Sequence, residues 1–196
     1  MLRLLLIAVG ALALGLSATP ALAQDKGLRC MAASYTPAQR QQMAELGPRA
    51  RFADASGPNA AADALSDVAM DAVVHCITES GWGEDAAMFA TFYELGRVNE
   101  AAFRQSGELS SEDLRRLDTA LARGDRTALW DAIERGVWAG VADSDVGASD
   151  ADAMVLGTFM LESGLGLNEQ TANRVGVLLG FMGLQRVGQR EFRALQ

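Results

Sequence analysis

Histidine occurs once, at His75, lysine once, at Lys26, and cysteine twice, in a chain of 196 residues. A single histidine cannot build a multi-histidine zinc site, and it stands without a visible partner for a Ser-His-Asp system. Acidic residues outnumber basic ones, 25 to 17, for a formal net charge of −8, and the arginines are scattered along the chain. Such a chain lacks the electrostatic footprint of a nucleic-acid or anionic-membrane binder. Phosphate-binding loops, nucleophile–base pairs and metal-ligand clusters are also missing, so neither a cofactor nor a metal is expected. No segment alternates polar and apolar residues as a half-buried strand does, which argues against a sheet.

The one long apolar run is at the start. Arg3 is followed by uninterrupted apolar residues to Leu16, then Pro20 and the small residues Ala21 and Ala23 around Leu22. This is the pattern of a secretory signal peptide over residues 1–23 with an A-x-A cleavage site, and it predicts a mature chain beginning at Gln24 and no stable membrane anchor. Loss of Arg3 makes the mature chain one unit more negative. Its length suits a single helical domain over residues 24–196, periplasmic or secreted. Export puts Cys30 and Cys76 where thiols are oxidised, so the pair is expected as a disulfide rather than as a redox couple, which would need closely spaced, accessible cysteines. On the loop-entropy model, closing about 46 residues is worth up to about 4 kcal/mol.

Helix signals fill the rest. Thr36, Pro37 and Gln39 form a capping-box start with proline at the first helical position, and Gly47-Pro48 stops that helix. After Gly57-Pro58, Leu65, Val68, Ala69, Ala72, Val73 and Cys76 recur at helical spacing up to Gly81. A third helix from near Glu84 carries Phe89, Phe92, Gly96 and Phe103 on one side. Ser110 or Ser111 caps a fourth, closed by Gly124; Asp125 caps a fifth with Leu129, Trp130, Ile133 and Val137 inward; Ser149 or Asp150 opens a sixth, and Asn168 a last one. The expectation is an all-α bundle of about six to seven helices with one disulfide.

The sequence also matches itself. E-S-G-W-G at Glu79–Gly83 returns as E-S-G-L-G at Glu162–Gly166, and the stretch Phe92–Arg104 aligns with Phe181–Arg193 at Phe, Leu, Arg, Val, Phe and Arg. Two matches in the same order suggest a duplicated helical hairpin, with copies near residues 59–105 and 150–195. Superposed copies would place Phe92 over Phe181 and Phe103 over Phe192, all four facing the core.

Several side chains are candidates for a site. Glu79 and Glu162 end their helices where the macrodipole disfavours negative charge, and Glu79 falls inside an apolar stripe, so each is expected to hold a specific partner. The E-S-G element is then a helix stop with a left-handed glycine. The residues I-T-E-S-G-W-G at Ile77–Gly83 also resemble the motif around the catalytic glutamate of bacterial peptidoglycan β-N-acetylglucosaminidases of the flagellar-muramidase type. That resemblance implies a cell-wall glycoside hydrolase in which Glu79 is the general acid, kept protonated by partial burial, with Trp82 as a stacking platform. The match covers about six residues, and the second copy has Leu165 where the first has Trp82.

His75 lies one helical turn before Glu79, at the edge of the stripe. Asp143, Asp145, Asp150 and Asp152 miss the spacing of a calcium-binding hand and read as a solvated loop capping the next helix. Gly176, Gly180 and Gly183 permit close helix packing, or failing that self-association. The reading that results is an exported helical binding or protein-interaction module without catalytic activity, its partner an envelope protein or cell-wall component, with Trp82, His75 and Glu162 as binding candidates. The alternative is the peptidoglycan hydrolase using Glu79.

Overall fold

The computed structural model describes residues 21–53, 59–142 and 149–196. Residues 1–20 of the expected signal peptide lie outside the described residues, as do Asp143 and Asp145 of the expected acidic loop. Among the described residues there are eight α-helices and no strand. They are α1 (Ala21–Ser34), α2 (Pro37–Leu46), α3 (Ala60–Ser80), α4 (Glu84–Ser106), α5 (Ser111–Leu121), α6 (Thr127–Val141), α7 (Asp150–Glu162) and α8 (Glu169–Ala194).

The boundaries follow local chemistry. Thr36 accepts from the Gln39 backbone N–H and Gln39 reaches back to the Thr36 N–H, which closes the capping box of α2. Ser110, Ser149 and Asn168 cap α5, α7 and α8 in the same way. Asp125 accepts from the Thr127 N–H at the start of α6. Gly81 and Gly164 both end their helices in the left-handed region, at φ 64° and 67°, as a shared E-S-G stop requires. The helix without a sequence signal of its own is α1, which overlaps the expected leader; its Leu28 and Met31 are buried, as is Tyr35 just beyond its end.

Every residue of the α3 stripe is buried, from Leu65 to Cys76. Cys76 is bonded to Cys30, so the disulfide ties α1 to α3 with the two Cα atoms 5.9 Å apart. It places the chain in an oxidising compartment. No helix among the described residues is long and apolar enough to cross a membrane.

The centre of the molecule is the pair α4 and α8, which run in opposite directions and pack over most of their length. Glycine makes that approach possible. A Cβ at Gly96 would lie 2.6 Å from the Phe181 carbonyl oxygen, and one at Gly188 2.5 Å from the Tyr93 backbone nitrogen. Gly183 meets Ile133 and Val137 of α6, whereas Gly176 and Gly180 face open space. The close-packing role expected of Gly176, Gly180 and Gly183 therefore falls to Gly96, Gly183 and Gly188, because the α8 contact face is set by its crossing with α4.

One core cluster joins α1–α4 with Phe192; the other joins Phe103 with α5–α8. Phe103 and Phe192 are fully buried, and the half-buried Phe181 packs on the second cluster against Phe52 and Phe103, so of the four phenylalanines expected to face the core only the half-buried Phe92 departs. Phe92 lies instead against Phe89 and the edge of Trp138.

Candidate functional site

The inward face of α4 is a ladder at four-residue spacing: Ala86, Ala90, Glu94, Val98 and Ala102 are all buried. Glu94 is the exception in chemistry, a carboxylate with no solvent exposure. It receives hydrogen bonds from the Tyr35 hydroxyl and from Arg97, one turn further on, at 3.0 Å from Nε. Arg97 also lies 5.7 Å from the Tyr35 ring centroid. Burial and the bond to Glu94 push the Tyr35 phenol well above its ordinary pKa of 10.0. This network anchors the α1–α2 corner on α4. Glu94 itself is closed to solvent and both of its partners come from the protein, so its role here is structural.

The accessible chemistry is on the opposite side, around α7. This helix packs chiefly on α6. It turns Phe159 and Met160 inward, yet its other faces are also apolar, so Met154 and Leu161 remain 72% and 63% exposed. Between α6 and α7 runs an open groove of about 510 Å³, floored by Leu129, Val155 and Phe159 and edged by Met154. At the C-terminal end of α7 the groove meets a smaller cleft of about 220 Å³ lined by Arg115, Arg116, Arg123 and Arg126. Sequence alone gave these arginines as scattered; the α5–α6 turn gathers them.

Glu162 and Arg126 stand between the two hollows and belong to both. Arg126 Nη1 donates to Glu162 at 2.6 Å, its Nε caps the end of α5 through the Ala120 carbonyl, and its guanidinium lies 5.3 Å from the Phe159 ring centroid. Arg116 bonds Glu112 and the Gly164 carbonyl. Arg115 shares Glu112, and the Arg123 side chain makes no hydrogen bond or ion pair among the described residues. At the far end of α7, Asp152 is buried and paired with Arg135 and Ser149. The Arg135 hydrogen bond holds its carboxyl below the usual range. The expectation of a solvated acidic loop is corrected at this residue: Asp152 is a buried carboxylate paired with the exposed Arg135, tying α7 to α6.

The structure separates the four expected site residues. Glu162 has the arginine partner anticipated for it. Glu79 does not: it is exposed and makes no hydrogen bond or ion pair among the described residues. The buried stripe of α3 ends at Cys76, and the last turn projects beyond the core, so the wheel position of Glu79 never meets a packing partner. Trp82 is half-buried with its ring edge on Phe192, centroids 5.0 Å apart, and is part of the core rather than a free platform. His75 is exposed beside Val74. A partly buried Glu79 facing an open Trp82 shelf, which the hydrolase reading requires, is not what these residues form. No group of His, Cys, Asp and Glu among the described residues is arranged to hold a metal ion.

Comparison with family models, curated proteins and solved structures finds no match to this chain.

Functional assignment therefore rests on geometry. The residues that sequence reasoning missed are Glu94 and the arginines of the cleft. Glu94 had a legible signal, a lone carboxylate in a four-residue ladder of small apolar residues with an arginine three positions on. The arginines had none, because only the turn after α5 brings Arg123 and Arg126 back beside Arg115 and Arg116.

Proposed function

We propose that this chain is an exported helical module that binds a partner protein through the α6–α7 groove. The observation that carries the reading is the open apolar groove itself, edged by Met154 at 72% accessibility, with Leu161 of the same helix also 63% exposed. Water-exposed apolar surface is costly, and when it flanks a groove it marks an interaction surface. Methionine adapts to irregular partner surfaces. The openness of the groove suits a polypeptide better than a small molecule, which usually needs a concave pocket enclosing most of its surface. The disulfide and the expected leader together favour the periplasm or the extracellular medium.

The test is site-directed photo-crosslinking in the native envelope, with a photoreactive residue at Met154 and a control at the exposed Gln41 of α2. Discrete adducts at position 154 and none at position 41 are expected. Equal or absent labelling at both would remove the reading.

The duplicated hairpin belongs to the same proposal, as the origin of the scaffold. It is supported by the paired left-handed stops at Gly81 and Gly164. It is supported further by the α4–α8 crossing, where Gly96 meets Gln185, its equivalent in the alignment, as residues on a pseudo-twofold axis must. The copies differ in their first helices: α3 packs beside α4, whereas α7 packs on α6.

A further inference from the structure

Resting on that groove as the binding surface, we infer that its partner segment is an amphipathic helix of about three turns with an acidic turn at one end, which lies over the arginine cleft. The length follows from α7, whose groove-lining residues run from Ala151 to Glu162, about 17 Å at 1.5 Å per residue. The acidity follows from charge. In a chain with 25 acidic and 17 basic residues, the cleft at the C-terminal end of this groove collects Arg115, Arg116, Arg123 and Arg126. Among the described residues, the carboxylates bonded to them are Glu112 and Glu162.

Two of the four have a structural duty, since Arg116 and Arg126 bond the carbonyls of Gly164 and Ala120. Arg115 and Arg123 do not, and both are exposed. Asp125 also edges the groove at this end and keeps its negative charge while accepting from the Thr127 N–H, so the four arginines face the carboxylates of Glu112, Glu162 and Asp125 and the end stays net positive. The opposite end carries the exposed Asp150, so an acidic turn is matched at the cleft and repelled at the other end. An acidic turn is also intrinsically favoured at a helix N-terminus. The partner helix is thereby oriented antiparallel to α7, its first turn over Ser163 and its apolar side chains beside Phe159, Val155 and Met154.

Fluorescence anisotropy tests this with two labelled 14-residue peptides sharing one leucine face, one with three glutamates in its first turn and one with three lysines. Each is titrated into the wild type, Arg115→Glu/Arg123→Glu, and Met154→Asp/Leu161→Asp, all at exposed positions and all checked by circular dichroism. The acidic peptide should bind the wild type about tenfold more tightly than the basic one at low salt. The arginine double variant should abolish or invert that preference, a comparison unaffected by the peptides' own helicity. The methionine–leucine variant should weaken both peptides. Equal binding of the two peptides to the wild type, with loss in the groove variant, would overturn the acidic partner but leave the groove reading standing. Acidic-peptide binding that survives the groove variant, or that millimolar inorganic phosphate fully displaces, would show a small-anion site and overturn the inference. No binding of either peptide would overturn it too, and blank crosslinking at position 154 would then remove the groove reading as well.

Discussion

The half of the molecule built on α1–α4 and the part built on α5–α7 solve the same packing problem differently. In the first, a disulfide, a buried carboxylate network and a fully internal stripe on α3 leave little apolar surface in water. In the second, ion pairs lie near the surface, α7 leans mainly on one neighbour, and Met154 and Leu161 stay exposed. A protein that must hold an apolar surface ready for a partner needs rigidity elsewhere, because exposed apolar surface adds nothing to folding until it is covered. On the proposed reading, the tightly fastened half is the scaffold and the looser half the binding face.

The strongest way to break this contrast is to unfasten the scaffold. Glu94→Ala leaves Arg97 and the Tyr35 hydroxyl without their shared partner, and should cost about 3 to 5 kcal/mol in urea unfolding. The lower end is expected, because the Arg97 side chain keeps 33% exposure. A loss below about 1 kcal/mol would mean that the network is not an anchor.

Replacing both cysteines by alanine removes the α1–α3 tie and should cost about 2 to 4 kcal/mol, with α1 the first element to lose amide protection. Alkaline titration probes the same corner. The Tyr35 pKa is raised by folding, so its contribution is complete below the unfolded value near 10.0 and is lost as pH rises above it. Stability should fall above pH 10 in the wild type, and Tyr35→Phe should flatten that slope.

Two glycines on α8 sharpen the comparison further. Gly188→Ala drives a methyl group into the α4 backbone and should cost about 1 to 3 kcal/mol. Gly176→Ala enters open space and should instead stabilise by up to about 1 kcal/mol, the helix-propensity difference.

The smallest effects belong to the two E-S-G glutamates. Glu162→Gln should cost less than about 1 kcal/mol, its pair with Arg126 being half exposed. Glu79→Gln should change the melting midpoint hardly at all, since Glu79 has no partner among the described residues. Loss of cell-wall clearing in a zymogram on Glu79→Gln would restore the hydrolase reading and displace the binding one.

The sequence by itself determined the helices and their ends, because caps, stop glycines and the three-to-four-residue periodicity act within one or two turns of chain. Thr36, Ser110, Ser149, Asn168, Gly81 and Gly164 do in the structure what their local chemistry requires. Periodicity also identified the α3 stripe, and two cysteines in a chain expected to be exported left one intramolecular pairing. Tertiary structure alone decided which face of each helix met another. Glu79 sits at a stripe position but past the edge of the core, whereas Glu94 sits at a stripe position in its centre; the arginine three residues on hints at a partner for Glu94, but only the packing shows which of the two is buried. The same holds for glycine: Gly176 and Gly188 are both helical, and only the α4–α8 crossing makes one indispensable. The arginine cleft is the clearest case, since its charge density is a sum over residues that the chain brings together only by turning between α5 and α6, and electrostatic potential depends on distance in space, not along the sequence.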